Sequence, residues 1–145
     1  MEMIQVYSGS KQTLCWLQKE CGDVPVVESD GSVYSCDHFV KKSQYLGNCT
    51  QSSLADLMEG EKQKRFGKSK SILNESCLSC DYLSLCNGGC LKDRDETGHN
   101  ILCEAYLELF QEAEEPLKKA TQMMKEKISF KQIMVELKKE NIFLE

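Results

Sequence analysis

Four cysteines lie within fourteen residues near the centre of this 145-residue chain. The stretch from Cys77 to Cys90 reads CLSCDYLSLCNGGC, which is C-x2-C-x5-C-x3-C. Two intervening residues let the chain curl and aim backbone N–H groups at a pair of sulfurs. Gly88 and Gly89 fit such a turn, because glycine adopts positive φ and lets the backbone pass close to a bulky ligand. Thiolate-rich sites select zinc or iron–sulfur clusters, so this stretch predicts a metal centre.

The chain has nine cysteines, and eight of them would fill two sites of four ligands each. The four that lie outside the central stretch and complete this count are Cys15, Cys21, Cys36 and Cys103. Cys49 is left over, and we interpret it as a small buried residue or a free thiol. Because the count is odd, a pure disulfide framework is disfavoured, and metal ligation is the better interpretation.

Charge and hydropathy narrow the class of protein. The net charge is -5 with both signs interspersed, which argues against nucleic-acid binding and favours a protein or peptide partner. The first fifteen residues lack the basic and apolar regions of a signal peptide, and no apolar run approaches membrane-spanning length. We therefore expect a cytoplasmic protein that does not associate with a membrane and has one modest core.

A β-hairpin is predicted in front of the central stretch. Residues 24–28 are rich in β-branched side chains, residues 29–31 read Ser-Asp-Gly, and Val33 begins a second β-prone segment. Cys21 and Cys36 stand at the two ends of this pattern. Strand pairing would therefore bring these two thiols together.

Helical patterns follow. Ser52 or Ser53 is expected to cap a helix that runs towards Arg65 and ends near Gly67, and the neighbourhood from Glu61 to Lys70 is expected to be a solvated charged face.

Three more helical segments are predicted after the last cysteine. The first covers Ala105 to Ala113, the second is opened by Pro116, and the third begins at a capping box of Ser129 and Gln132. A hairpin followed by helices indicates a small α+β fold that is loop-rich around its cysteines.

The order of the cysteines resembles the seven-cysteine SPASM signature, the auxiliary-cluster domain of radical SAM enzymes that modify peptides and proteins. The matching pattern is C-x9-G-x4-C from Cys21 to Cys36, then the run from Cys77 to Cys90, then Cys103. The additional Cys15 is similar to the eighth ligand of the sulfatase-maturating branch. Further segments that resemble this branch are CGDVPVVESDGSVYSCDHFV at 21–40, LGN at 46–48, FGKSK at 66–70 and CLKDR at 90–94.

The resemblance implies two 4Fe–4S clusters, each held by four cysteines. The first implied set is Cys15, Cys21, Cys36 and Cys90. The second implied set is Cys77, Cys80, Cys86 and Cys103. Cys90 would thus bind a different cluster from the other three cysteines of the central stretch. Two-cluster ferredoxins have the same arrangement, because the last cysteine of a run binds the neighbouring cluster. The implied organisation is an N-terminal remnant or linker at 1–11, a SPASM twin-cluster domain at 12–104 and a C-terminal helical segment at 105–145.

The resemblance also implies an activity, namely oxidation of a sulfatase cysteine or serine to Cα-formylglycine. Asp37 matches the aspartate that serves as the base in this reaction, and its position beside a ligand suits coupled loss of a proton and an electron. On the residues alone, Asp37 is interpreted as a loop carboxylate that accepts backbone N–H bonds. In the family, the auxiliary domain serves electron transfer and positions the substrate peptide.

The chain departs from the family pattern in one major respect. It contains no C-x3-C-x2-C loop, which binds the catalytic cluster and S-adenosylmethionine in the radical SAM barrel. We therefore expect no activity from the chain alone, which would be a fragment, a split half or a separate gene product that works with a radical SAM barrel. Two alternatives stay open: a SPASM domain of another peptide-modifying radical SAM enzyme, and a zinc-stabilised interaction module without redox function.

Overall fold

A computed structural model describes residues 2–139 of the chain. The strands are β1 (Val26–Val27), β2 (Ser32–Tyr34) and β3 (Tyr45–Asn48). The helices are α1 (Glu2–Tyr7), α2 (Leu54–Glu59), α3 (Glu61–Ser69), α4 (Glu75–Leu78), α5 (Leu83–Cys86), α6 (Cys103–Lys125) and α7 (Phe130–Lys139). This mixture of one small sheet and several helices confirms the α+β class. No helix within residues 2–139 is long and apolar enough to cross a bilayer.

The chain divides into two compact units. One unit runs from Thr13 to Cys103 and contains all nine cysteines. The other combines the residues up to Gln12 with those from Glu104 onwards. The predicted N-terminal segment (1–11) and C-terminal helical segment (105–145) thus belong to one unit, and residues 140–145 lie outside the described residues.

The predicted hairpin is confirmed, and it belongs to a three-stranded antiparallel sheet of order β1-β2-β3. The turn is closed by the N–H of Gly31, which donates to Glu28 at 2.9 Å, and Gly31 has a φ of +83°. Strand β3 was not predicted, since its sequence YLGN includes glycine and asparagine, which are depleted in strands. It forms because it pairs with β2, where Val33 is fully buried.

The single helix predicted after Ser53 is wrong, because the structure has two helices there. Ser53 does cap the first of them and accepts a hydrogen bond from the N–H of Asp56 at 3.1 Å. The helix then stops at Gly60, whose ψ of 149° is extended, and α3 begins at the next residue. Helix α3 continues to Ser69, two residues beyond the predicted end.

The expectation of a solvated face from Glu61 to Lys70 is also wrong in part. Gln63, Phe66 and Lys70 are 3%, 7% and 0% exposed, respectively. Helix α3 therefore buries one side in the cysteine-bearing unit, and the charged residues between these positions cover its outer side.

In the other unit, α6 is one continuous helix with Pro116 inside it, so the predicted break at this proline is wrong. Proline removes a single N–H donor, and the helical turns on both sides persist. The capping box is confirmed, since the backbone N–H of Gln132 donates to Ser129 Oγ at 3.4 Å and the Ser129 N–H donates to the Gln132 side chain at 3.2 Å. The core of this unit is formed by Ala120, Ile133 and Leu137.

Candidate metal centre

Cys21 and Cys36 are held in place by a buried glutamine on α3. The Gln63 Nε2 group donates to the carbonyl oxygen of Gly22 at 2.5 Å and to that of Ser35 at 3.1 Å. The first acceptor follows Cys21 and the second precedes Cys36. One side chain therefore fixes the backbone beside both cysteines of the hairpin region.

Cys15 and Cys90 lie close enough to act on the thiol of Cys21, and Cys90 also acts on that of Cys36. Burial raises the pKa of Cys21 to about 11, Lys70 opposes this shift, and Cys15 and Cys90 add to it. Burial likewise raises the pKa of Cys36 to about 11, with a further increase from Cys90. The structure thus brings together what we call the first group: Cys15, Cys21, Cys36 and Cys90. These are the four residues implied for one cluster, and their role as ligands stays a prediction.

Other thiols lie around Cys86. Burial raises the pKa of Cys86, and the charges of Cys103 and Cys77 raise it further. Cys80 is one turn along from Cys77, because its backbone N–H donates to the Cys77 carbonyl at 3.2 Å. We call Cys77, Cys80, Cys86 and Cys103 the second group. Their role as ligands also stays a prediction.

The loop after Cys86 has a left-handed backbone. Asn87, Gly88 and Gly89 have φ values of 48°, 74° and 63°, which confirms the positive φ expected of the two glycines. The N–H groups of Gly88 and Gly89 act to lower the pKa of the Cys86 thiol, against the larger effect of burial, and the Gly89 N–H also donates to the Cys86 carbonyl at 3.0 Å. Backbone donors are therefore aimed at a sulfur of the central stretch.

Arg94 ties this loop to the end of α3. Its guanidinium donates to the carbonyls of Gly88 (3.0 Å), Ile72 (2.8 Å), Lys70 (2.9 Å) and Asn87 (3.2 Å). The roles of Arg94 and Lys70 were not predicted, since a cation that binds backbone carbonyls leaves no characteristic spacing in a sequence. The available signal was their presence in the FGKSK and CLKDR segments that resemble the family.

The loop between the last two cysteines is closed by Asp95 and Asn100. The Asp95 carboxylate accepts hydrogen bonds from the N–H groups of Thr97 (2.8 Å) and His99 (3.1 Å). Asn100 is 3% exposed and donates through Nδ2 to Gly88 at 3.3 Å. These contacts connect the residues before Cys103 to the central stretch.

Asp37 lies directly beside the first group and faces solvent. Its side chain is 60% exposed, and its Oδ1 atom accepts a hydrogen bond from the Cys36 thiol at 3.2 Å. This hydrogen bond is the main cause that holds the pKa of Asp37 below its ordinary value, and the nearby His38 contributes. The carboxylate is therefore ionised at neutral pH and accessible to a substrate.

The donor set fits an iron–sulfur centre. All nine cysteines are free, and Cys49 is exposed, so it is not the small buried residue that was one of its two interpretations. Within residues 2–139, no three side chains of His, Cys, Asp or Glu gather around a point that would hold one metal ion. A four-iron cluster spreads its thiolate ligands over four iron atoms, and such soft ligands are the ones it requires.

Comparison with known proteins places the chain in a family. Residues 15–81 match the model of the SPASM family, described as an iron–sulfur cluster-binding domain. The serine-type anaerobic sulfatase-maturating enzyme of Bacteroides thetaiotaomicron is 40% identical over 112 residues, which cover 72% of this chain and 27% of that enzyme. The cysteine-type enzyme of Clostridium perfringens is 37% identical over 108 residues, which cover 71% of this chain and 29% of that enzyme.

Solved structures show the same relationship. The structure of native anSMEcpe with bound AdoMet and Cp18Cys peptide matches with a TM-score of 0.77 and 31% identity over 85% of this chain and 36% of that one. The structure of native anSMEcpe with bound AdoMet matches with a TM-score of 0.75 and 32% identity over 83% of this chain and 34% of that one.

The chain therefore contains an iron–sulfur cluster-binding domain of the SPASM family. Over this region it is homologous to the anaerobic sulfatase-maturating enzymes, as the sequence analysis predicted. The chain spans less than a third of the length of the two curated relatives, at 27% and 29%.

Proposed function

We propose that this chain is the auxiliary domain of an anaerobic sulfatase maturase and holds two 4Fe–4S clusters. The observation that supports the proposal is the match to an iron–sulfur cluster-binding family, together with the electrostatic proximity of thiols within the first group and around Cys86. Each group supplies the four thiolates that one such cluster needs. Members of the first group would hold one cluster, and members of the second group would hold the other.

When bound, the clusters supply one-electron transfer for the oxidation of the substrate peptide. The residues of this chain supply the proton acceptor and the surroundings. Asp37 would accept the thiol or hydroxyl proton of the substrate residue, since its carboxylate is exposed and adjacent to Cys36. Gln63 and Arg94 would hold the backbone around the first and second groups in position.

The proposed substrate is a sulfatase polypeptide whose cysteine or serine becomes Cα-formylglycine. A radical SAM barrel must bind S-adenosylmethionine and remove the hydrogen atom, because no residue of this sequence forms the C-x3-C-x2-C loop. We propose that this domain acts with such a barrel, carried either on the same polypeptide or on a separate one, in the cytoplasm, where thiols stay reduced. The chain alone would then bind clusters without turning over substrate.

Metal analysis tests this proposal. The full chain, reconstituted anaerobically with iron and sulfide, should bind close to eight irons and eight sulfides, because two complete four-cysteine sites are present. The product should be brown and show the visible absorption of iron–sulfur clusters. Four irons per chain would refute the two-cluster assignment, and a colourless protein with tightly bound zinc would favour the interaction module instead.

A further inference from the structure

Lys70 is a fully buried lysine in the cysteine-bearing unit, with 0% of its surface exposed. A buried ammonium loses its hydration and persists only where other groups compensate it. Its Nζ atom donates to the carbonyl of Gln18 and, at 3.1 Å, to that of Asn87. Burial and the positive charge of Arg94 lower the pKa of Lys70 to about 8, so the side chain remains mostly charged at neutral pH.

This ammonium is near both groups of thiols. The charges that act to raise its pKa are those of Cys21 and Cys90 from the first group and Cys86 from the second. The two residues that accept its hydrogen bonds also lie beside cysteines of different groups. Gln18 lies on the segment that leads to Cys21, and Asn87 directly follows Cys86. One cation therefore faces the two segments that carry the two groups.

The hydrogen bonds of this lysine do not account for the choice of a cation. Both acceptors are neutral carbonyls, which a neutral amide donor could also satisfy. The groups that would favour the ammonium, once they are thiolates, are cysteines of the two groups. The positive charge is therefore directed at whatever negative charge the thiolates carry.

We propose that Lys70 compensates the negative charge of both cluster sites and makes the reduction of each cluster more favourable. The inference rests on the proposed two-cluster function. A cluster bound by four thiolates is an anion and gains one more negative charge on reduction. A fixed cation in a poorly hydrated interior stabilises the reduced form more than the oxidised form. Lys70 would thus help both clusters to accept an electron.

The experiment compares reduction potentials of the reconstituted full chain by redox titration followed by electron paramagnetic resonance. Lys70→Met removes the charge, Lys70→Gln removes it but keeps a hydrogen-bond donor, and Lys70→Arg keeps it. Lys68→Met is the matched control, because it removes one positive charge from an exposed position in the last turn of α3, two residues before Lys70. Iron content and circular dichroism are recorded for each variant.

Both neutral variants should retain their iron, and reduction of both clusters should become about tenfold less favourable, which is a shift of about 59 mV to more negative potential for a one-electron couple. Lys70→Arg and Lys68→Met should stay near the wild type. Unchanged potentials, or a shift of one cluster alone, would overturn the inference. Loss of iron from both neutral variants would also overturn it, because Lys70 would then support the fold. A wild-type chain without clusters would instead refute the proposed function.

Discussion

At the scale of single residues, Asp37 combines two properties that a proton acceptor needs. Its side chain is 60% exposed, so a substrate can reach it, and it adjoins Cys36 of the first group. The carboxylate accepts backbone N–H bonds from His38 and from its own residue, and it also lies 3.2 Å from the Cys36 sulfur. This arrangement supports a chemical role for the carboxylate.

Asp37→Asn should therefore lower formylglycine formation when the chain is combined with a working radical SAM barrel. Asparagine keeps the size of the side chain but cannot accept the proton, and loss of a general base typically costs about 10²–10⁴-fold in rate. Mass spectrometry of the substrate peptide measures formylglycine, and iron analysis is the control. Normal turnover in the variant would show that Asp37 only stabilises its loop. Joint loss of iron and turnover would show that it supports the backbone around Cys36.

Two cysteines provide a matched comparison within the same unit. Cys86 is partly buried among the second group, whereas Cys49 is exposed at the end of β3. Cys86→Ser should lose iron and part of the fold, since serine is a poor ligand for iron–sulfur clusters. Cys49→Ser should change neither quantity. Loss of half the iron from Cys49→Ser would show that the assignment of ligands is wrong.

At the scale of elements, α3 positions the first group through a close backbone approach. The N–H of Cys21 donates to the carbonyl of Gly67 at 3.3 Å, and a Cβ atom on Gly67 would overlap the carbonyl oxygen of Cys21. A glycine inside a helix is otherwise unfavourable by about 1 kcal/mol relative to alanine. The close contact with Cys21 therefore explains why position 67 holds glycine although glycine destabilises a helix.

Gly67→Ala should lower both thermal stability and iron content, although alanine favours the helix itself. Relief of the overlap requires the backbone of Cys21 to shift, and such overpacking typically costs about 1–3 kcal/mol. Thermal unfolding and iron analysis measure the two effects. Lys64→Ala, on the exposed side of the same helix, is the control and should change little. A more stable Gly67→Ala protein with full iron would show that this contact does not position Cys21.

The elements that were predictable from the sequence are those fixed by local signals. The hairpin turn at Gly31 and the capping box at Ser129 depend on neighbouring residues, and both are present in the structure. Strand β3 depends on pairing with a distant strand, so its own composition did not reveal it. The burial of Lys70 depends on carbonyls contributed by other segments, and charge alone predicted a solvated position.

In the candidate site too, local sequence patterns predicted some features, and contacts between distant residues determined the others. Cysteine spacing indicated a metal centre and, through resemblance, two sets of four thiols. The residues that support these thiols were missed, because their contacts are made over long sequence separations. Gln63 reaches Gly22 and Ser35, and Arg94 reaches Lys70 and Ile72.

At the scale of the whole molecule, the two units differ in what stabilises them. The unit from Thr13 to Cys103 has short strands of two, three and four residues. Its buried hydrophobic side chains are those of Leu17, Val33, Phe66 and Leu85. So small a core gives limited stability, and small domains commonly depend on metals or cross-links to fold. The other unit has its own hydrophobic core between α6 and α7.

Removal of the clusters should therefore unfold the cysteine-bearing unit and leave the helices of the other unit largely intact. Structural metal sites stabilise the folded state because the ligands are arranged only there. Anaerobic chelation followed by limited proteolysis and mass spectrometry should show new cleavage between Thr13 and Cys103, with α6 and α7 surviving as a resistant fragment. The untreated, cluster-loaded chain is the control. Continued resistance of residues 13–103 after all iron has left would contradict the prediction and show that the protein scaffold alone maintains this unit.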